Sequence, residues 1–224
     1  MRHSRPSATF GTVADLIREL GVPAKRIRLF PAPGTATERD LIRINDRKEG
    51  LCELVEGTLV EKPLGYREGF LALRMGRMLA EFVESLALGL VSGADSVQRL
   101  RRGLVRLPDV SFVSWDQLPN RKIPEESVPD LYPDLAVEIF SRSNTRREMA
   151  RKRREYFRAG CRLVWIVYPK TETIEVYTTP TGFETLDIDD IVNGGEVLPG
   201  LKLPVRKIFA PPPTSPKPRN GKSK

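Results

Sequence analysis

The stretch DLAVEIF (residues 134–140) decides how this chain is read: it is a short apolar run carrying one carboxylate, Glu138. The strongly cationic segment TRREMARKRREYF (145–157) follows, and then a second apolar run, RLVWIVY (162–168). Length and residue type predict strand, helix, strand. Along the first strand, alternation sets Asp134, Ala136, Glu138 and Phe140 on one face and Leu135, Val137 and Ile139 on the other. Glu138 therefore shares its face with apolar neighbours. Upstream, LPDVSF (107–112) sets a second acid, Asp109, at the end of another apolar strand. A charge on a buried strand is costly unless it is paired or coordinates a metal. Taken singly, Glu138 also reads as a solvated edge-strand acid and Asp109 as an ordinary strand-start acid. On neighbouring strands, together, they favour a shared cation. Mg²⁺ suits such a pair, because it takes one or two carboxylates and keeps several waters.

The helix over 145–157 is read by its phase at about 100° per residue. Met149, Ala150, Tyr156, Phe157 and Ala159 form its apolar sector, with Arg151, Arg154, Glu155 and Arg158 opposite. Lys152 lies on one flank of that sector and Arg153 on the other, so phase does not choose between them. Both also fit cations snorkelling from a solvated face. A cation on the inner side could reach the carboxylates of the strand that feeds the helix.

Working outward, CELVEGTLVEK (52–62) predicts a hairpin turning at Glu56-Gly57. Residues 66 to about 88 predict the longest helix, with Leu71, Met75, Met78, Leu79, Phe82 and Leu86 at helical spacing and Gly89 as its stop. Short strands are expected at Leu90-Val91, 96–100 and 105–113, with Arg101-Arg102-Gly103 as a turn. A Pro-rich loop spans 115–133, and Thr173–Tyr177 pairs with 162–168. In front of the core, Thr12 caps a short helix stopped by Gly21, and Thr37 opens another with Asp40 in its first turn. This divides the chain into an N-terminal helical arm and linker (1–50), a core domain (51–209) and a basic Pro-rich tail (210–224). The order of elements is that of a mixed α/β (α+β) domain around one curved sheet.

The chain has 224 residues, enough for one domain with a substantial core. A hydrophobic fraction of 40% and a mean hydropathy of −0.32 fit a soluble protein. No apolar run approaches the roughly 18–20 residues needed to span a bilayer, and the N-terminus lacks an apolar signal core. Cys52 and Cys161 sit in apolar segments and read as reduced core residues, so a cytoplasmic location is expected. The net charge of +8 favours polyanionic partners, DNA among them. Four of those charges lie in the tail, which is expected to be disordered.

Several of these stretches, in combination, resemble the restriction-endonuclease-like Uma family, a branch of the PD-(D/E)xK nuclease superfamily. They are CELVEGTLVEKP (52–63), PDVSFVS (108–114), PDLAVEI (133–139), KRREYFRAG (152–160) and LPGLKLP (198–204). The resemblance runs from about Thr12 to Phe209. It implies a restriction-endonuclease-like core with a central mixed sheet flanked by helices. It also implies a metal-dependent endonuclease of the cytoplasm, using Mg²⁺ with Mn²⁺ as a substitute, and a homodimer where both strands of a duplex are cut. Carried over, Asp109 and Glu138 are the metal ligands, with the main-chain carbonyl of Ile139, and Lys152 completes the catalytic set. The usual lysine two residues after the second acid is absent, since Phe140 stands there; Lys152 matches members whose lysine has moved to the next helix. An additional acid often lies on the preceding helix or hairpin, which makes Glu68 and Glu53 candidates. Arg99, Arg101, Arg102, Arg106 and Arg153 are candidates for contacting nucleic-acid phosphates. Ser141-Arg142-Ser143 stands where the family commonly has Ser-Pro-Ser, and His3 is the only histidine. Two further functions stand beside the DNA endonuclease: an inactive nucleic-acid-binding or assembly module of the same fold, and an RNA-processing nuclease.

Overall fold

A computed structural model describes residues 10–47, 50–63 and 65–212. The expected tail lies, from residue 213 on, outside the described residues, as does His3. The first half comprises α1 (Val13–Leu20), α2 (Glu38–Asp46), β1 (Cys52–Val55), β2 (Thr58–Glu61), α3 (Tyr66–Ser85), β3 (Gly89–Gly93), β4 (Gln98–Arg101), β5 (Leu104–Arg106) and β6 (Val110–Ser114). The second half comprises β7 (Leu135–Ile139), α4 (Arg146–Ala159), β8 (Leu163–Tyr168), β9 (Thr173–Tyr177), β10 (Phe183–Leu186), β11 (Ile191–Asn193), β12 (Lys202–Pro204) and α5 (Val205–Phe209). No described helix is long and apolar enough to cross a membrane.

The central sheet has six strands in the order β10-β9-β8-β7-β6-β3. It is mixed: β7 and β8 run parallel, and every other neighbouring pair is antiparallel. A parallel pair needs a crossover, and α4 supplies it. The expected single curved sheet is corrected in one respect. A second sheet, β2-β1-β5-β4, packs beside the first, and β11 and β12 form a separate hairpin. The break falls inside the expected strand 105–113. Pro108 has no N–H to give a ladder, and the chain leaves β5 in the small sheet to enter β6 in the large one.

Three apolar clusters follow. On one face of the large sheet, Leu71, Met75, Leu79 and Val83 of α3 and Val205 and Ile208 of α5 pack on Leu135, Val137, Ile139 and Trp165. Each such burial contributes about 1.5–3 kcal/mol. On the other face, Ala136, Val164 and Ile166 meet Met149 and Tyr156 of α4, Leu16 and Leu20 of α1, and Val55, Val60 and Leu104 of the small sheet. The outer face of the small sheet (Cys52, Leu54, Val105) is covered by Leu41 and Ile44 of α2. Both cysteines are buried, in different clusters, and burial pushes their thiols up to about 11 for Cys52 and about 12 for Cys161.

The caps match the sequence: Thr12 accepts from the Asp15 N–H, and Thr37 and Asp40 form a capping box. The β1–β2 turn at Glu56-Gly57 also matches, with φ of 49° and 70°. The long helix ends earlier than expected, at Ser85. Gly89 serves a different purpose from a helix stop: it begins β3, where a Cβ would lie 2.1 Å from the Val113 carbonyl oxygen. Only glycine permits that approach.

Candidate active site

The inner face of each layer contributes charge to one buried seam between the two sheets and α4. Alternation along β1 sends Cys52 and Leu54 outward and Glu53 and Val55 inward. By the same rule Arg106 follows Leu104 inward on β5, and Lys62 follows Val60 just past β2. From the large sheet comes Glu138, on the side of Ala136. Helix α4, started by the Thr145 cap on the Glu148 N–H, brings Lys152, Glu155 and Tyr156. Phase alone left Lys152 and Arg153 equivalent. In the fold Lys152 is 1% exposed, whereas Arg153 stacks on the Tyr177 ring at 4.1 Å and donates to the Pro180 carbonyl.

Lys152 holds the seam together. Its Nζ lies 3.0 Å from both carboxylate oxygens of Glu138 and 3.0 Å from Oε1 of Glu53. The ammonium donates to both Glu138 oxygens and forms an ion pair with Glu53. The Tyr156 hydroxyl donates to Glu138 Oε1 at 2.6 Å. Burial opposes the charge on Lys152, but Glu138 and Glu53 outweigh it and hold the ammonium above its ordinary range. Burial likewise opposes ionisation of Glu53; Lys152, Arg106 and Lys62 outweigh it and hold that carboxyl far below the usual carboxylate range. At Glu138 the balance reverses. Burial, reinforced by Asp109 and Glu53, exceeds the pull of Lys152 and raises the carboxyl. Burial and the adjacent Glu138 raise Tyr156 well above its normal value, so it stays a donor.

Asp109 stands where the chain passes between the sheets. Its N–H donates to Val137 O at 3.0 Å and its Oδ2 accepts from the Ile139 N–H at 2.7 Å, so it brackets Glu138 along β7. Lys62, 7% exposed, forms an ion pair with Asp109 Oδ1 at 2.9 Å and donates to the carbonyls of Leu107 at 2.6 Å and Ala94 at 3.0 Å. Asp109 is the most open acid of the group, with 16% of its side chain exposed, into a groove of about 410 Å³ between α3 and β3.

The seam continues away from Lys152. Arg106 donates to Glu53 Oε2 at 2.7 Å and to Glu155 Oε2 at 2.9 and 2.5 Å, and Arg151 donates to Glu155 Oε1 at 2.7 Å. Four carboxylates, Glu53, Asp109, Glu138 and Glu155, thus face four cations, Lys62, Arg106, Arg151 and Lys152. Arg106 is therefore an internal counter-ion, and Glu155, read as solvent-facing from the helix phase, is buried against it.

The remaining sequence candidates are placed elsewhere. Glu68, in the first turn of α3, lines a separate cleft with Phe140, Arg142 and Lys170 and has no ion pair among the described residues. Arg99 forms a two-pronged pair with Glu38 at 2.9 and 2.6 Å. Arg101 pairs with Glu56, and Arg102 is exposed. Lys62 and Tyr156 were missed as site residues. Lys62 closes the hairpin motif and Tyr156 sits in the helix motif, yet each reads alone as an ordinary strand-end cation and a core aromatic.

Two hard carboxylates on adjacent strands are a donor set that fits Mg²⁺. Burial, with Asp109 adding to it, raises Glu138, and a bound cation would favour its charged form. Lys62 and Lys152 neutralise these acids in the structure. Among the described residues, no group of three or more His, Cys, Asp or Glu side chains is arranged to hold a metal, so an ion here would rest on these two carboxylates alone.

No curated protein matches the chain. Among solved structures, it resembles "a putative nuclease belonging to DUF820" from Anabaena variabilis, with a TM-score of 0.65 and 19% identity over 72% of this chain and 91% of that one. That likeness supports the nuclease fold. Residues 39–206 match the family model described as "Putative restriction endonuclease", and the chain belongs to this family, Uma2.

Proposed function

We propose that the protein is a Mg²⁺-dependent endonuclease that hydrolyses DNA phosphodiester bonds, with Asp109 and Glu138 as metal ligands and Lys152 as the cation beside them. The observation that carries this reading is the convergence of Lys152 on Glu138, with Asp109 bonded to β7 on both sides of that residue. Family membership and the solved neighbour described as "a putative nuclease" point the same way. Asp109 and Glu138 would hold the ion, which would supply polarisation of the scissile phosphate and a water of lowered pKa. Lys62 keeps Asp109 aimed, and Tyr156 fixes Glu138 Oε1. Lys152 stays charged and, on release of one Glu138 oxygen, would offer an N–H to the attacking water or to the charge developing on phosphorus. Asp109 is reached from the α3–β3 groove, which is the approach for substrate in this account.

The inactive-module reading has one observation in its favour: Lys152 occupies both oxygens of Glu138. Calorimetric titration with Mg²⁺ and Mn²⁺ separates the two. The nuclease reading expects binding that Glu138→Gln abolishes; absence of Glu138-dependent binding favours the module. Offering DNA and RNA side by side tests the substrate class.

A further inference from the structure

Helix α4 presents a stripe of arginines on the side away from Lys152. Arg147, Arg151, Arg154 and Arg158 recur at intervals of four, three and four residues and fall within about 60° of arc at 100° per residue. They line a concave pocket of about 320 Å³, into which Arg101 of β4 also points. Its acids are Glu19, Glu56 and Glu155, and two of these are already engaged: Glu56 with Arg101 and Arg151, Glu155 with Arg106 and Arg151. Arg147, Arg154 and Arg158 are exposed and form no hydrogen bond or ion pair among the described residues. Like charges at such spacing destabilise a helix. A merely solvated face would mix signs, as the Arg77–Glu81 pair does on α3.

We infer that this stripe is a second binding surface that holds the phosphate backbone of nucleic acid at a distance from the carboxylates. Identifying that nucleic acid as duplex DNA rests on the nuclease reading. Arginine is suited to the task because its planar fork grips phosphate oxygens two at a time. A rise of 1.5 Å per residue sets Arg147 and Arg158 about 16 Å apart along the axis, the length of roughly five base-pair steps of 3.4 Å. The surface is also linked to the seam. Arg151 lies in the stripe, bonds Glu155, and through Arg106 and Glu53 connects to Lys152.

The test is binding of a fluorescent 30-base-pair duplex by the full chain, followed by anisotropy in chelator across a salt series. The triple variant Arg147→Ala/Arg154→Ala/Arg158→Ala is expected to lose at least about tenfold in affinity, and its log–log salt slope is expected to shrink by about two to three. The Arg→Lys triple variant, which keeps the charge, is expected to retain most of the slope while losing affinity, which separates phosphate contact from misfolding. Competition by polyglutamate with the same dependence on the three arginines would overturn the proposal in favour of an acidic protein partner. Unchanged affinity and slope in the alanine variant, or no duplex binding by the wild-type chain, would overturn it outright. Cleavage is not read in this assay, so a chain that binds through the stripe but cuts nothing refutes the nuclease reading alone.

Discussion

At the scale of single residues, the seam's behaviour turns on opposing shifts at two glutamates. The Glu53 carboxyl is held down by Lys152, Arg106 and Lys62 against its burial, so the unfolded chain binds its proton more readily than the folded one. Its contribution to stability is present above the ordinary glutamate value of about 4.3 and is lost as pH falls through the depressed folded value. Glu138, raised chiefly by burial, runs the other way: its contribution is present below the ordinary value and is lost as pH rises through the folded one. Urea denaturation is therefore expected to show a shallower acid loss of stability in Glu53→Gln below about pH 4.3 and a steeper one in Glu138→Gln above it; identical slopes in both variants would contradict these assignments. Arg106→Met takes one buried cation from Glu53 and Glu155, which keep Lys152 and Arg151 respectively, and is expected to cost about 3 kcal/mol; a loss below about 1 kcal/mol would mean that the pairs are not formed. Asp109 and Glu138 stand out in the sequence because each breaks an apolar strand pattern, whereas Lys152 is set apart from Arg153 only by the family resemblance. Lys62, Arg106 and Glu155 were not legible as partners. Their roles depend on which strands face each other, and no residue's own neighbours in sequence record that.

At the scale of elements, capping residues and periodicity gave α1, α2, α3, α4 and the β1–β2 hairpin close to their observed limits, because each is fixed by bonds within a few residues. Helix α3 and β3 show where local signals mislead. Gly89 looked like a helix stop, but its cause is the neighbouring β6 backbone. Gly89→Ala is accordingly expected to destabilise by about 1–3 kcal/mol through overpacking. Gly69→Ala, inside α3 with nothing within 4 Å of the new methyl, is expected to stabilise by about 0.5–1 kcal/mol. Thermal denaturation of both variants checks the pair, and matching signs would refute the packing argument. The stretch from β10 to α5 escaped periodicity analysis because its strands have only three or four residues and β10 is largely exposed.

At the scale of the whole molecule, a small sheet closes over one face of a mixed six-stranded sheet, and the charges of both meet in a buried interface beside α4. The class of fold was readable from the order of elements. Its division into two sheets was not, because Pro108 looks the same in a strand that ends and in a chain that changes partners. The division matters for function, since the small sheet delivers Glu53 and Arg106 and the hairpin end delivers Lys62 to the acids of the large one. If these acids hold a divalent cation, Mg²⁺ at saturating concentration raises the melting temperature of the wild-type chain by mass action, and Glu138→Gln abolishes the rise. The most direct test of the central claim is cleavage of supercoiled plasmid DNA in Mg²⁺ by the wild-type chain beside Asp109→Asn and Glu138→Gln variants shown to be folded. The account predicts cutting by the wild type that chelator stops and that each variant lowers by at least about 100-fold; metal-dependent cutting that persists undiminished in both variants would contradict it.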